Sequence, residues 1–179
     1  MDKDVFSGCG FCTAKSDARY GDRRNRELKE YIDMKIEQFF SNVLTICDWD
    51  KLGNDDDVLK PLIVYLAKQS DDEIFSFDDI MAELLYDLDT RKNFEKACRE
   101  YPHSDDSFLY SRCVALTNGT EYYKKVKAGR IKKLWTMEFE AILSVPSSAW
   151  GIKYNKDPAD YPHSTPLSYE TGSNKKGWK

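Results

Sequence analysis

The sequence predicts an all-α fold from two observations: several segments space their apolar residues three to four apart, and none sustains the period-two alternation of a half-buried strand. A third supports them, since capping residues and glycine or proline stops fall between those segments. The chain has 179 residues, 41% hydrophobic and 13% aromatic, enough for one sizeable core. The expected architecture is a single compact domain of about six to eight helices over residues 26–154. An irregular N-terminal segment, residues 1–25, and an extended C-terminal tail, residues 155–179, flank it.

The first helix spans 27–48, with Leu28, Tyr31, Ile32, Ile36, Phe39, Phe40, Val43, Leu44 and Cys47 on its apolar face. Leu52-Gly53-Asn54 and three aspartates break it. A second helix starts at Asp56 or Asp57 and runs through Leu59, Leu62, Ile63 and Leu66, with Pro61 acceptable only in the first turn. Ser70-Asp71-Asp72-Glu73 is a capping box. It opens a third helix that buries Ile74, Phe77, Ile80, Met81, Leu84, Leu85 and Leu88. Thr90 caps a fourth through Phe94, Cys98 and Tyr101, which Pro102 ends.

Ser104 caps the next helix, and Asp105 and Asp106 then place negative charge at the positive end of its dipole. Phe108, Leu109, Cys113 and Leu116 form its apolar stripe, and Asn118-Gly119 supplies residues that tolerate left-handed geometry at its end. Thr120-Glu121 opens a short helix carrying Tyr122 and Tyr123. Trp135, Phe139, Ile142 and Leu143 make a last helix that closes at Val145-Pro146.

Ser104, Asp105, Asp106, Phe108, Arg112, Gly119 and Tyr123 stand at spacings that resemble the family called domain of unknown function 4240. The run from Val58 to Phe77 is similar to that family's second and third helices, so the resemblance covers about residues 31–150. Two positions depart from its pattern: an aromatic before the Arg is Ser111 here, and a Trp after it is Val114. A site built on those aromatics would be missing. The resemblance implies a bacterial setting in which small domains sit beside polymorphic toxins as immunity proteins.

Read from the residues, the motif can be a carboxylate pair with an anion-binding Arg, or ordinary capping with a structural Arg. Capping explains it with fewer assumptions. Cys9-Gly10-Phe11-Cys12 is half of a zinc or redox site with no second pair to complete it, so no metal or other cofactor is expected. Five cysteines without an export signal read as reduced thiols, with Cys47, Cys98 and Cys113 on apolar stripes. Two histidines, neither near a recognisable nucleophile, give no hydrolytic constellation, and no enzyme is expected. The basic run 124–133 reads as a solvated helix end rather than a nucleic-acid contact. No apolar stretch approaches a membrane span, and a cytoplasmic protein is expected.

Charge is the remaining signal. Residues 48–89 hold thirteen acids against three lysines, whereas residues 120–179 hold eleven Lys and Arg against six acids. An acidic face steers and covers a cationic partner. With what the resemblance implies, the expected function is an immunity protein that binds a basic toxin domain stoichiometrically; the alternatives are an enzyme or metal-dependent module with a site near Ser104–Tyr123, or a regulatory protein-interaction domain. Its expected contacts are Asp55, Asp56, Asp71, Asp72, Asp78 and Asp79, with Tyr161, Tyr169 and Trp178 of the tail as aromatic anchors.

Overall fold

A computed structural model describes residues 14–131 and 133–179, with side chains from residue 25 onward. The Cys9 and Cys12 pair lies outside the described residues. The chain divides into two units at Ile36 and Glu37, and α1 (Ala14–Ile46) belongs to both. All regular structure among the described residues is helical.

Helix α1 begins at Ala14, so residues 14–25, expected to be irregular, are helical. The run from Arg23 to Glu30 consists mostly of good helix formers, which propagate a helix without an apolar stripe. In the first unit Leu28, Tyr31 and Ile32 are exposed rather than buried.

In the second unit α1 buries Phe39, Phe40 and Val43. Phe39 meets Phe77 with ring centroids 4.6 Å apart. At the end of α1 the Trp49 indole N–H donates to the Val43 and Leu44 carbonyls, both at 3.2 Å. Two carbonyls that the helix would otherwise leave unpaired are thereby satisfied.

Helix α2 (Asp55–Leu66) is capped by Asn54, not by Asp56 or Asp57. Pro61 consequently lies in the helix interior, where it removes one backbone bond. Complete burial of Val58 and Leu62, with Leu59 and Leu66 nearly so, holds the helix through that loss. The Ser70–Glu73 capping box opens α3 (Asp71–Leu88) as the spacing predicts. Thr90 caps α4 (Arg91–Glu100), but this helix buries Asn93 and Ala97, and its Cys98 and Tyr101 are exposed. A ten-residue helix with only two buried positions is fixed by its neighbours more than by its own stripe.

Ser104 caps α5 (Asp105–Val114) in a reciprocal arrangement with Ser107. A tight turn over Ala115–Asn118 leads to α6 (Gly119–Lys127). Gly119 has φ +80°, a conformation that favours glycine, and a Cβ there would stand 2.9 Å from a terminal methyl of Leu44, which would have to move aside. The expected helix around Trp135 to Leu143 is instead two tight turns, Lys133–Thr136 and Glu140–Ser144. Pro146 lies in the first turn of α7 (Val145–Tyr154), so it opens a helix instead of closing one.

After Tyr154 the tail crosses the second unit with one short turn at Pro158–Asp160. Tyr161, His163, Thr165, Leu167 and Tyr169 are half-buried while the residues between them are exposed. This is an extended strap with one face on the domain.

Candidate functional site

The strap is held by two buried charges. Asp89, fully buried, follows α3, and its carboxylate accepts the Gly172 amide at 3.1 Å, the Asn174 amide at 2.9 Å and the Trp178 indole N–H at 2.8 Å. Arg112 of α5, also fully buried, donates to the Leu85 carbonyl at 2.8 Å, the Tyr169 carbonyl at 2.9 Å and the Thr171 hydroxyl at 3.2 Å. Its guanidinium carbon lies 4.9 Å from the centre of the Phe108 ring. Burial lowers the Arg112 pKa, and Asp89 acts against that shift. The guanidinium fork thus joins α3, α5 and the tail, which a point charge could not do.

The other motif residues are structural too. Phe108 is fully buried and stacks with Trp135 at 5.6 Å. Tyr123 is buried and donates its hydroxyl to the Leu84 carbonyl at 2.8 Å, and burial raises its pKa. Asp105 and Asp106 are exposed in the first turn of α5. The acid that offsets Arg112 is Asp89 rather than either of them. No carboxylate pair with an anion-binding Arg is assembled from these residues.

The nine expected partner contacts divide sharply. Asp71 accepts Lys153 at 2.5 Å and the Tyr154 hydroxyl at 2.8 Å, and the bond to Lys153 does most to lower its pKa. Asp79 pairs with His163 at 2.7 Å. Asp78 is buried, and desolvation pushes its pKa up to about 6. The Tyr161 hydroxyl lies close enough to oppose that shift in part, although no well-formed hydrogen bond joins the two. These three acids face the fold's own tail and helix α7.

The tail aromatics are engaged as well. Tyr161 packs edge-on against Phe75 at 5.8 Å, and Trp178 against Phe94 at 5.3 Å. Tyr169 is half-buried and supplies the carbonyl that Arg112 holds. Their rings and backbone thus hold the tail against the domain. Asp56 and Asp72 are exposed and Asp55 is half-exposed; none makes an ion pair among the described residues.

Two concavities result. A cleft of about 440 Å³ opens between the tail and helices α3 and α7, lined by Asp78, Ser147, Tyr161, His163, Ser168 and Glu170 among others. A groove of about 580 Å³ runs between α2 and α7, lined by Asp56, Asp57, Lys60, Ile63, Ile152 and Lys156 among others. Ile152 is 58% exposed there, an apolar centre with a charged rim.

Sequence reasoning missed Asp89, His163, Lys153 and Asn174. Asp89 precedes the Thr90 cap, but nothing local shows that it faces the tail. The inward residues of the strap alternate with exposed ones from Tyr161 to Tyr169, but His163 and Thr165 among them leave no apolar period in the sequence. Among the thiols, Cys47 and Cys113 are buried, and desolvation pushes them up to about 11 and about 12, as suits inert core residues. Cys98 is exposed. The described residues contain no group of three His, Cys, Asp or Glu placed to hold a metal, and no described helix is long and apolar enough to cross a membrane.

The fold and the clamped motif define an all-helical domain closed by its own C-terminal strap. The chain belongs to the family described as Protein of unknown function (DUF4240), whose model matches residues 34–150. The strap and its Asp89 contacts from Gly172, Asn174 and Trp178 thus involve chain beyond the matched residues. Comparison with curated proteins and with solved structures gives no match.

Proposed function

We propose that this protein is an immunity protein that neutralises a basic toxin domain by stoichiometric binding through the α2–α7 groove. The observation that carries the reading is a groove with an apolar centre at Ile152 and a rim of mixed charge, Asp56 and Asp57 with Lys60 and Lys156, on which Asp56 is exposed and makes no ion pair among the described residues. A buried apolar anchor within a charged rim is the anatomy of a protein-binding patch. The carboxylates accelerate encounter with a cationic surface and exclude acidic competitors.

Co-expression with the product of the neighbouring gene tests the reading. The neighbour alone should arrest growth, and the intact protein should restore it. Asp56→Lys with Ile152→Glu should lose protection while remaining folded, and added salt should slow association because exposed charge is screened over about 10 Å at 0.1 M. A harmless neighbour, or one that kills equally with this protein present, would overturn the assignment.

A further inference from the structure

The cleft between the tail, α3 and α7 is separate from the groove proposed for the toxin, and it contains a buried carboxylate that the fold leaves without a cation. Asp78 is 8% exposed and lines the cleft wall. The nearest candidate cation, His163, is already held by Asp79 at 2.7 Å and stacks on Phe75 with ring centroids 4.6 Å apart. The Tyr161 hydroxyl, itself buried, makes no well-formed hydrogen bond. A buried ionised carboxylate without a charged partner is costly, so a ligand that supplies positive charge recovers free energy on binding.

The rest of the lining selects the chemistry. Ser147, Thr165, Ser168 and Tyr169 present oxygens that accept N–H donors, and Glu170 adds a second carboxylate. Two carboxylates repel an anion. A neutral polyol would satisfy the hydroxyls but leave Asp78 uncompensated. A bare metal ion would need more carboxylate or imidazole ligands than the described residues bring together. We propose that this cleft binds an organic cation through an ammonium or guanidinium head, carried either by a free small molecule or by a side chain of a partner. The proposal does not depend on the toxin-binding reading, which uses other residues of α7.

Protonation gives the binding a direction with pH. The charged or titratable groups around Asp78 are Asp79 and Asp71 of α3 and Tyr161, His163, Tyr169 and Glu170 of the tail. The part of α7 that lines the cleft contributes Pro146 and Ser147, which do not titrate. Because Asp78 takes up a proton as pH falls through about 6, cation binding should weaken there.

The test is isothermal titration calorimetry of the full chain with agmatine and, separately, with a short arginine-containing peptide, using N-butylurea as a neutral control. One equivalent of at least one cation should bind while the urea does not. Asp78→Asn should weaken binding at least about tenfold. Ser147→Leu, which fills the cleft and keeps the carboxylate, should weaken it to a similar degree, so the test survives if either variant fails to fold. Agmatine binding with an inert peptide assigns a small-molecule ligand, and the reverse assigns a partner's side chain. Failure of both cations to bind, or binding that survives both substitutions, overturns the proposal.

Discussion

Asp89 and Asp56 come from the same acidic half of the chain, yet the fold uses them in opposite ways. Asp89 is fully buried and accepts three N–H groups from the tail, whereas Asp56 stands exposed without a partner. The difference teaches that charge asymmetry in a sequence is not surface charge. Lys127 pairs with Asp87, Lys153 with Asp71 and His163 with Asp79, so part of the acidic half is met by the basic half of the same chain. Asp78 and Asp89 are withdrawn by burial, and the acids left outside these pairs, Asp56 and Asp72 among them, are the ones that can steer a partner.

Substitutions at the buried end of this contrast should cost most. Arg112→Ala should destabilise by about 3–5 kcal/mol, because it leaves the Leu85 and Tyr169 carbonyls without their donor and the buried Asp89 without its compensating charge. Arg112→Lys should rescue little of it, since an ammonium cannot span the Leu85 and Tyr169 carbonyls together. Urea denaturation gives the values. A loss below about 1 kcal/mol in Arg112→Ala would place the clamp among exposed pairs and break the comparison. Phe108→Ala, a purely apolar deletion at the same clamp, should also cost about 3–5 kcal/mol.

Asp78 should behave in the opposite sense. Its folded pKa is raised above the ordinary carboxylate value, so the folded state binds a proton that the unfolded state releases between about pH 4 and 6. The charge therefore costs stability above about pH 6, and the cost disappears as pH falls below the unfolded value. Asp78→Asn should raise stability at pH 7 by at most about 3 kcal/mol and flatten the pH dependence between about 4 and 6. An equally pH-dependent variant would show that another group titrates there.

Exposed acids should matter least. Asp105→Ala should cost about 0.3–1 kcal/mol by removing charge from the start of α5, and thermal unfolding at low salt is sensitive enough to see it. Asp56→Lys and Asp72→Lys should each change stability by no more than about 0.5 kcal/mol. A larger loss at Asp72 would mean that it shares the structural work of Asp71.

The sequence conveyed local structure well. The Ser70 and Ser104 capping boxes, the Thr90 cap and the buried face of α3 are where composition and spacing put them. These features are decided within one or two helical turns. Errors arose where distant contacts decide: Pro61 is tolerated inside α2 because its neighbours are deeply buried, and Pro146 starts a helix because the preceding residues fold as tight turns. The candidate site was least legible. Asp79 meets His163 because the tail folds back and Asp71 meets Lys153 because α7 packs against α3, and no local spacing announces either contact. In the motif, the expected capping role of Asp105 and Asp106 is seen, but the clamp made by Arg112 could not be read without its partners in α3 and the tail.

The central claim is that buried charge fastens the strap to the helical domain as part of one structure. Amide hydrogen exchange at Asn174 tests it most directly, because that N–H donates to Asp89 in a buried position. In the intact protein the Asn174 amide should be protected, and Asp89→Ala should release it while the core of α3 stays protected. Exchange of Asn174 at the rate of an unstructured peptide in the intact protein would contradict the account.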